Sequence, residues 1–220
     1  MDGNRLSELY KLRFSTEELS RKNQIWKTLC SNFFQEFINP NSTVVDIACG
    51  YGEFLNNIVC EKKIAVDLNP EAKEYLNEGI EFHNCSATNL GAVVKGTADI
   101  VFTSNFLEHL PNKAILDEFL DQVLIALKSG GKYLILGPNL RYLRSQYWDF
   151  YDHHLGLTDQ SLSEALRLKG FDIELCIKRF LPFSTQGALP THPMLVKLYL
   201  SFPIFWPILG KQFFIIAQKK

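Results

Sequence analysis

The chain of 220 residues has the length of one domain with a sizeable core, or of a core domain with an added segment. With 46% hydrophobic and 21% charged residues it has the composition of a folded protein, which excludes a disordered chain. The net charge of −1 provides no bulk attraction to nucleic acid or to an anionic membrane.

The cysteine pattern and the absence of long apolar runs indicate the cellular compartment in which the protein is expected. Five scattered cysteines without a CxxC pair argue against a disulfide framework and a structural zinc site, so a reducing cytoplasm is the expected location. The N-terminal residues lack the apolar centre of a signal peptide, and no apolar run reaches the ~18 residues of a membrane span. We therefore expect a cytoplasmic protein without a transmembrane helix.

Helical and strand patterns alternate along the chain. Apolar residues recur at helical spacing over residues 5–38 and predict a helical N-terminal segment. Further patterns predict strands at 43–48, 63–67, 98–103, 132–137, 171–177 and 212–217, and helices near 53–60, 71–78, 112–128 and 159–169. Strands separated by crossover helices form a parallel sheet covered on both faces, so the sequence predicts a doubly wound α/β fold.

Residues 179–210 interrupt this alternation. The segment is rich in Phe, Leu and Pro and is too long for an unstructured loop, so we expect a short helix and turns over one end of the sheet. Within it, residues 194–210 carry Lys197 and two internal prolines, which break a spanning helix. Three interpretations remain, ranked by how often apolar elements adopt them: the core of a flap, a homodimer contact, and shallow membrane association.

Two acids stand where predicted strands end. Asp46 leads into a turn with Gly50 and Gly52, and Asp67 ends the next strand 21 residues later. Ligands of open α/β sheets bind at the carboxyl ends of the strands, and a carboxylate at Asp67 can accept both hydroxyls of a ribose. We therefore expect a ligand that carries a ribose.

Two cofactor classes compete for this turn. A dinucleotide site needs GxGxxG and a helix N-terminus that faces a pyrophosphate. Here Leu55 occupies the third glycine position, and Glu53 would repel a pyrophosphate. Asp46 favours a ligand with a positive charge, such as an amino acid ammonium, so the dinucleotide interpretation is the weaker one.

The segment Asp46-Ile47-Ala48-Cys49-Gly50-Tyr51-Gly52 resembles the first motif of class I S-adenosylmethionine-dependent methyltransferases, Asp/Glu-x-Gly-x-Gly-x-Gly. Three further features resemble the same family in order: Asp67 its ribose-binding acid, ADIVFTSNFLEHL (98–110) its fourth strand and active-site turn, and LKSGGKYLILGPN (127–139) the signature before its fifth strand. The resemblance covers residues 43–140. It implies a Rossmann-like, doubly wound sheet of seven strands and S-adenosyl-L-methionine as the cofactor.

The whole chain also resembles a narrower bacterial group of generic small-molecule methyltransferases, through YKLRFS, YWDFYDHHLGLT, RFLPFSTQGALP and LYLSFPIFWPILGKQFF. This implies an N-terminal helical lid over residues 1–40 and a methyltransferase domain over 41–220, with 179–210 as an insertion or cap before the last strand. Arg13 and Phe14 are candidate lid residues, and RFLPFSTQGALP is the candidate specificity element.

The resemblance also implies the residues that contact the cofactor. They are Asp46, Ala48, Gly50, Tyr51, Gly52, Asp67, Leu68, Ser86, Ala87 and Asn105. Asp46 would help to hold the methionyl ammonium and Asp67 the ribose. Ala48 replaces the first glycine of the motif, a change that asks only for an ordinary φ angle, and Ser86 stands where the family often has Asp.

Candidate general bases follow the fourth and fifth strands. His109 lies in the turn after strand four, and His153 and His154 follow strand five, with Asp152 placed to orient one of them. Each residue also has a purely structural interpretation, as a helix-packing histidine or as part of a polar loop. We expect no metal, because no matched set of acids and histidines at ligand spacing accompanies the pair.

The expected function is methyl transfer to a small molecule, such as a sugar or a cell-envelope intermediate. Nucleic-acid amino methylation is disfavoured, because SNFLEH stands where those enzymes have Asn-Pro-Pro-Tyr and because the chain has no basic excess. A homodimer and peripheral membrane contact remain open as partners. The alternative function is a non-catalytic module that binds S-adenosylmethionine or regulates a partner.

Overall fold

The computed structural model describes residues 16–183 and 192–220, with side chains from Ser20 onward. In this part of the chain seven strands form one sheet: β1 (Thr43–Ile47), β2 (Lys62–Asp67), β3 (Glu81–Asn84), β4 (Ala98–Ser104), β5 (Leu127–Pro138), β6 (Phe171–Ile177) and β7 (Gln212–Lys219). Their order across the sheet is β3-β2-β1-β4-β5-β7-β6. The first five run parallel, and β7 runs antiparallel to both of its neighbours.

Helices connect these strands on both faces. The described α-helices are α1 (Thr16–Asn32), α2 (Glu53–Asn57), α3 (Leu90–Val93), α4 (Lys113–Ala126), α5 (Leu140–Leu143), α6 (Asp159–Leu168), α7 (Pro193–Ser201) and α8 (Trp206–Leu209). Short 3-10 helices lie at Phe34–Phe37, Pro70–Tyr75, Ala87–Asn89, Leu107–His109, Arg144–Asp149 and Pro203–Phe205. Side chains start the longer helices: Asn112 caps α4 by accepting from the Ile115 N–H at 3.0 Å, and Thr158 and Ser161 form a capping box on α6.

Two apolar clusters hold the layers together, one on each face of the sheet. On one face the buried side of α4 and α6 packs on the strands through Phe119, Leu120 and Leu162. On the other face α1 and α2 contribute aromatic rings, and Phe54 stacks on Phe102 of β4 with ring centroids 3.7 Å apart. Burial of apolar surface on both faces supplies the main stabilisation of such a sheet.

The predicted α/β fold class is confirmed, and all six predicted strands are present. The seventh, β3, lies at the edge of the sheet and has only Phe82 as a large apolar residue, so no apolar run marked it. The predicted helix 53–60 ends at Asn57, since the chain becomes extended at Ile58. The predicted helix 71–78 is the 3-10 helix Pro70–Tyr75.

Two predicted segments are described only in part. Of the N-terminal helical segment, α1 and Phe34–Phe37 are described, whereas Arg13 and Phe14 lie outside the described residues. The specificity candidate RFLPFSTQGALP is described only as far as Phe183. Among the residues described, no helix is long and apolar enough to cross a membrane.

The order of the strands in the sheet indicates where a ligand crevice lies. Because β1 lies between β2 and β4, the direction of winding reverses there, and ligands of open α/β sheets bind outside the carboxyl ends of strands at such a point. Ile47 is paired with Thr103 in the β1–β4 ladder. The turn that follows β1 and the turn that follows β4 therefore lie side by side.

Candidate active site

Asp46, near the end of β1, is a buried carboxylate with an exposed fraction of 3%. Within the described residues its side chain accepts no hydrogen bond and forms no ion pair. Burial raises its pKa well above the ordinary value, and the neighbouring carboxylates of Glu53 and Asp67 raise it further. A buried acid without a donor costs free energy unless a cation compensates it, so this position suits a positively charged ligand group.

The chain turns sharply after β1. The N–H groups of Ala48 and Cys49 both donate to the Val66 carbonyl of β2, at 2.8 and 3.3 Å. The φ angles of Ala48, Gly50 and Gly52 are all positive, at 56°, 55° and 71°. The expectation of an ordinary φ at Ala48 was wrong, because the turn needs a left-handed residue there, a conformation that costs an alanine energy.

The φ angle of Gly52, 71°, favours glycine at this position. A Cβ atom here would lie 2.5 Å from Cδ2 of Leu76, so the Leu76 side chain would have to shift to admit one. Glu53, the first residue of α2, is buried and its Oε1 lies 2.8 Å from Nζ of Lys22 on α1. The N-terminal helix is thus tied to the glycine turn by an ion pair.

Asp67 braces the same turn from β2. Its Oδ2 accepts from the Gly50 N–H and its Oδ1 from the Asn69 N–H, each at 2.8 Å. Burial raises the pKa of this carboxyl, although the backbone N–H groups act in the opposite direction. Asp67 therefore fixes the position of Gly50 in addition to offering an acidic group at the carboxyl edge.

The remaining predicted cofactor residues lie on neighbouring turns of this edge. Tyr51 packs edge-on against Tyr75, and Leu68 is exposed by 46% after β2. Ser86 caps the 3-10 helix Ala87–Asn89 by accepting from the Thr88 N–H, and Ala87 is buried. Asn105 has a φ of 49°, which asparagine tolerates, and is exposed after β4.

Cys49, inside the turn, is buried, and burial raises the pKa of its thiol far above the ordinary value. It is therefore a protonated thiol that fills a tight place rather than a reactive thiolate. All five cysteines of the chain carry free thiols.

The histidines after β4 and β5 form a second polar group, the histidine cluster (Glu108, His109, Asp152 and His153). His109 Nδ1 lies 2.9 Å from the Asp152 carbonyl oxygen and 3.2 Å from the Asp152 carboxylate. Because a carbonyl oxygen only accepts, Nδ1 carries the proton and Nε2 the lone pair of the neutral ring. The Asp152 carboxylate therefore contacts His109, a pairing that the sequence did not indicate, while its orientation of His153 or His154 stays a prediction.

His153 is held in the same way as its neighbour in the cluster. Its Nδ1 lies 2.7 Å from the Tyr147 carbonyl, so Nε2 is again the nitrogen that carries the lone pair. The ring is buried, stacks on Phe150 at 4.8 Å and meets the His109 ring edge-on at 5.2 Å. His154 differs, since its side chain is exposed and only its backbone N–H joins the cluster, donating to the Glu108 carbonyl.

Glu108 is the residue that sequence reasoning missed. It is buried, and burial raises its pKa to about 7. One ligand atom each from Glu108, His109 and His153 lies within 4.8 Å of the others, close enough to share a cation. Spacing along the sequence did not show this set, because the fold joins residues that are far apart in the chain, and the absence of a metal stays a prediction. The Glu-His pair in SNFLEH was the available signal.

Comparisons with known proteins agree with this geometry. A profile described as a methyltransferase domain matches residues 19–175. A S-adenosylmethionine-dependent methyltransferase of Archaeoglobus fulgidus superposes with a TM-score of 0.66 at 20% identity, covering 99% of this chain and 100% of that one. Another from Thermotoga maritima gives a TM-score of 0.65 at 15% identity, covering 98% and 97%. At these identities the structures show a shared fold.

One curated relative is the ribosomal protein L11 methyltransferase of Symbiobacterium thermophilum. It is 27% identical over 117 residues, which make up 50% of this chain and 36% of that protein. The chain therefore spans only about a third of the length of this relative.

The residues of the edge fit S-adenosylmethionine, whose ammonium and sulfonium groups are cationic and whose nucleoside carries a ribose. Asp46 is a buried acid without a donor among the described residues, and Asp67 adds a second acid beside the glycine turn. The predicted class I family, fold, enzyme class and cofactor are confirmed by the family match and the shared fold. The chain belongs to the family that this profile describes, the methyltransferase domain.

Proposed function

We propose that this chain transfers a methyl group from S-adenosylmethionine to a small-molecule acceptor whose reacting atom lies beside His109 and His153. The observation that carries the proposal is Asp46, a carboxylate that is 3% exposed and has no donor among the described residues. Such a group persists in a fold where a ligand supplies the missing positive charge. The histidine cluster follows β4 and β5, at the edge where an acceptor would bind.

The residues on the cofactor side would have distinct roles. Asp46 would hold the ammonium group, and Asp67 would accept the ribose hydroxyls while it keeps Gly50 in place. The other predicted contacts would come from Ala48, Tyr51, Gly52, Leu68, Ser86, Ala87 and Asn105. When bound, S-adenosylmethionine supplies an electrophilic methyl group, so this chain has to align the acceptor and exclude water.

On the acceptor side, the two imidazoles are the candidate bases. The Nδ1–H groups of His109 and His153 are fixed by carbonyl oxygens, which leaves Nε2 as the atom that takes a proton from an acceptor hydroxyl. The Asp152 carboxylate would stabilise the imidazolium that forms on His109. His154, also predicted as a base, is exposed and serves here as the matched control.

The predicted acceptor class is a sugar or another cell-envelope intermediate. The net charge of −1 provides no bulk attraction to nucleic acid. The relative from Symbiobacterium thermophilum acts, by its name, on a ribosomal protein, and the match to it covers 117 residues. A protein acceptor therefore belongs in the same screen as the sugars.

The test is an acceptor screen that detects S-adenosylhomocysteine by mass spectrometry. The purified chain is incubated with S-adenosylmethionine and with pools of nucleotide sugars, lipid-linked sugars and ribosomal protein L11. The proposal expects turnover with one sugar or lipid-linked pool, loss of turnover in the His153→Gln variant, and normal turnover in His154→Gln. Tight binding of the cofactor without turnover on any pool would favour the non-catalytic alternative. Turnover that survives both His109→Gln and His153→Gln would contradict the assigned bases.

A further inference from the structure

Half of the exposed large apolar side chains in the described chain lie in one stretch of sixteen residues. They are Met194, Leu195, Leu198, Phe202, Ile204, Phe205, Ile208 and Leu209, and their exposed fractions range from 37% to 74%. The stretch folds as α7, a 3-10 turn and α8, and we name it the apolar hairpin (residues 193–209). Contiguous apolar surface of this kind marks a contact with something other than water.

The hairpin is held rigidly by its inner face. The Tyr199 hydroxyl donates to the Phe180 carbonyl, and the Trp206 ring packs on Phe180 with centroids 5.0 Å apart. Arg179 donates to the carbonyls of Ile208 and Gly210, at 2.6 and 2.8 Å. The flap-core interpretation therefore holds for this inner face only, because the outer face remains exposed.

A basic groove adjoins the end of the hairpin. It has a volume of about 380 Å³ and is lined by Arg141, Tyr142, Leu143, Arg144, Ser145, Gln146, Arg179 and Lys211. No acid is among these lining residues. Arg179 stacks over the Tyr142 ring and Lys211 donates to the Gln146 amide oxygen, so their charges are not neutralised by these contacts. Among the side chains that the structure describes, Arg141 is the one lining cation with an acid within 4.0 Å, that of Asp159.

The charge of this region contrasts with that of the whole chain. After Glu174 the sequence contains no acid but six lysine and arginine residues, although the net charge of the chain is −1. Cations beside an exposed apolar surface match the interface of an anionic bilayer, where apolar side chains enter the acyl region and cations face the phosphates. A second copy of the chain fits less well, since a symmetric contact would bring two cationic regions together.

We propose that the apolar hairpin and the basic groove form one docking site for an anionic phospholipid membrane. The hairpin inserts shallowly, and the groove binds a lipid phosphate. The groove and the histidine cluster share one segment, because Tyr147, whose carbonyl holds His153, directly follows the groove residue Gln146. A membrane docked here would lie next to the proposed acceptor site.

The test is co-flotation of the untagged full-length chain with vesicles of phosphatidylcholine, with and without phosphatidylglycerol. We expect flotation with the anionic vesicles that high salt weakens, and little flotation with phosphatidylcholine alone. Replacing both Ile204 and Ile208 by Ser, or Arg144 by Glu, should lower the partition coefficient about tenfold. The Leu168→Ser variant removes from α6 an apolar side chain that is even more exposed, at 83%, and should float like the unchanged chain.

Three results would overturn the proposal. The first is no flotation with anionic vesicles, and the second is an equal loss in Leu168→Ser. The third is a dimer, detected by light scattering, that is lost in the double serine variant although flotation stays unchanged. This result would assign the hairpin to a contact with a second copy of the chain. Thermal melting of each variant checks that it is folded.

Discussion

The acids at the proposed cofactor side of the sheet edge and those at the proposed acceptor side have opposite surroundings. At the cofactor side, Asp46 is buried without a donor among the described residues, next to Asp67, which accepts only neutral backbone N–H groups. At the acceptor side, the Asp152 carboxylate is already matched by an imidazole, that of His109. An uncompensated acid suits a cationic ligand that is bound and released, whereas a matched pair suits a group that exchanges a proton.

The two sides also differ in how the chain assembles them. The acids and glycines of the cofactor side come from β1, its turn and the end of β2, which are consecutive along the chain. His109 and Asp152 are 43 residues apart and meet only because the chain after β5 folds back over the turn after β4. Local geometry therefore dictates the first site and long-range packing the second.

The largest effect is expected on the acceptor side. The His153→Gln and His109→Gln variants should each lower kcat by about 10²- to 10⁴-fold, because each removes a positioned base. Their affinity for S-adenosylmethionine should stay unchanged, since the two residues follow β4 and β5, whereas the glycine turn follows β1. Steady-state kinetics with the acceptor from the screen, together with calorimetry, separates the two effects. Equal losses in His154→Gln would show that the cluster acts only through loop structure.

Asp46→Asn should have opposite effects on stability and on binding. Removing a buried charge should raise the free energy of unfolding of the ligand-free chain by about 1–3 kcal/mol at pH 8. The same change should weaken S-adenosylmethionine binding, because the carboxylate no longer faces the ammonium. Urea unfolding followed by circular dichroism, combined with calorimetric titration, measures both. A loss of stability on this substitution would mean that Asp46 is paired in the free protein.

The pH dependence of that stability has a defined sign. The pKa of Asp46 in the folded state is raised above its value in the unfolded state. The contribution of Asp46 to the free energy of unfolding is therefore fully present below the unfolded pKa and is lost as pH rises through the folded pKa. Glu108, with a pKa of about 7, adds a loss of the same sign between its unfolded pKa and neutrality. Ligand-free Asp46→Asn should therefore lose less stability than the unchanged chain as pH rises from acid to pH 8.

The smallest effect is expected at Ala48. With φ at 56°, alanine occupies a conformation in which glycine is unstrained, but glycine also loses more backbone entropy on folding. Ala48→Gly should raise the free energy of unfolding by about 0.5 kcal/mol and leave cofactor affinity intact. Urea unfolding at constant pH detects such a difference. A clear destabilisation would indicate that the Ala48 methyl group makes packing contacts that outweigh the strain.

The sequence predicts the parts of the molecule that local patterns encode. The six predicted strands, the acid before the glycines and the acid that ends β2 all follow from runs of adjacent residues. The sequence patterns did not predict the edge strand β3, because a strand at the edge of a sheet needs few apolar residues. The left-handed φ of Ala48 and the burial of Glu108 depend on contacts with β2 and with the chain after β5, which no local pattern reports.

Calorimetric titration measures whether the edge formed by the ends of β1 and β2 binds S-adenosylmethionine. The unchanged chain, freed of any co-purified ligand, should bind S-adenosylmethionine and not NADH. Asp67→Ala should weaken that binding at least about 100-fold. The control is Asp99→Ala, which removes another strand carboxylate that accepts a backbone N–H, from Thr43, at the opposite edge of the sheet. Binding of NADH, no binding of S-adenosylmethionine, or equal losses in both variants would contradict the account.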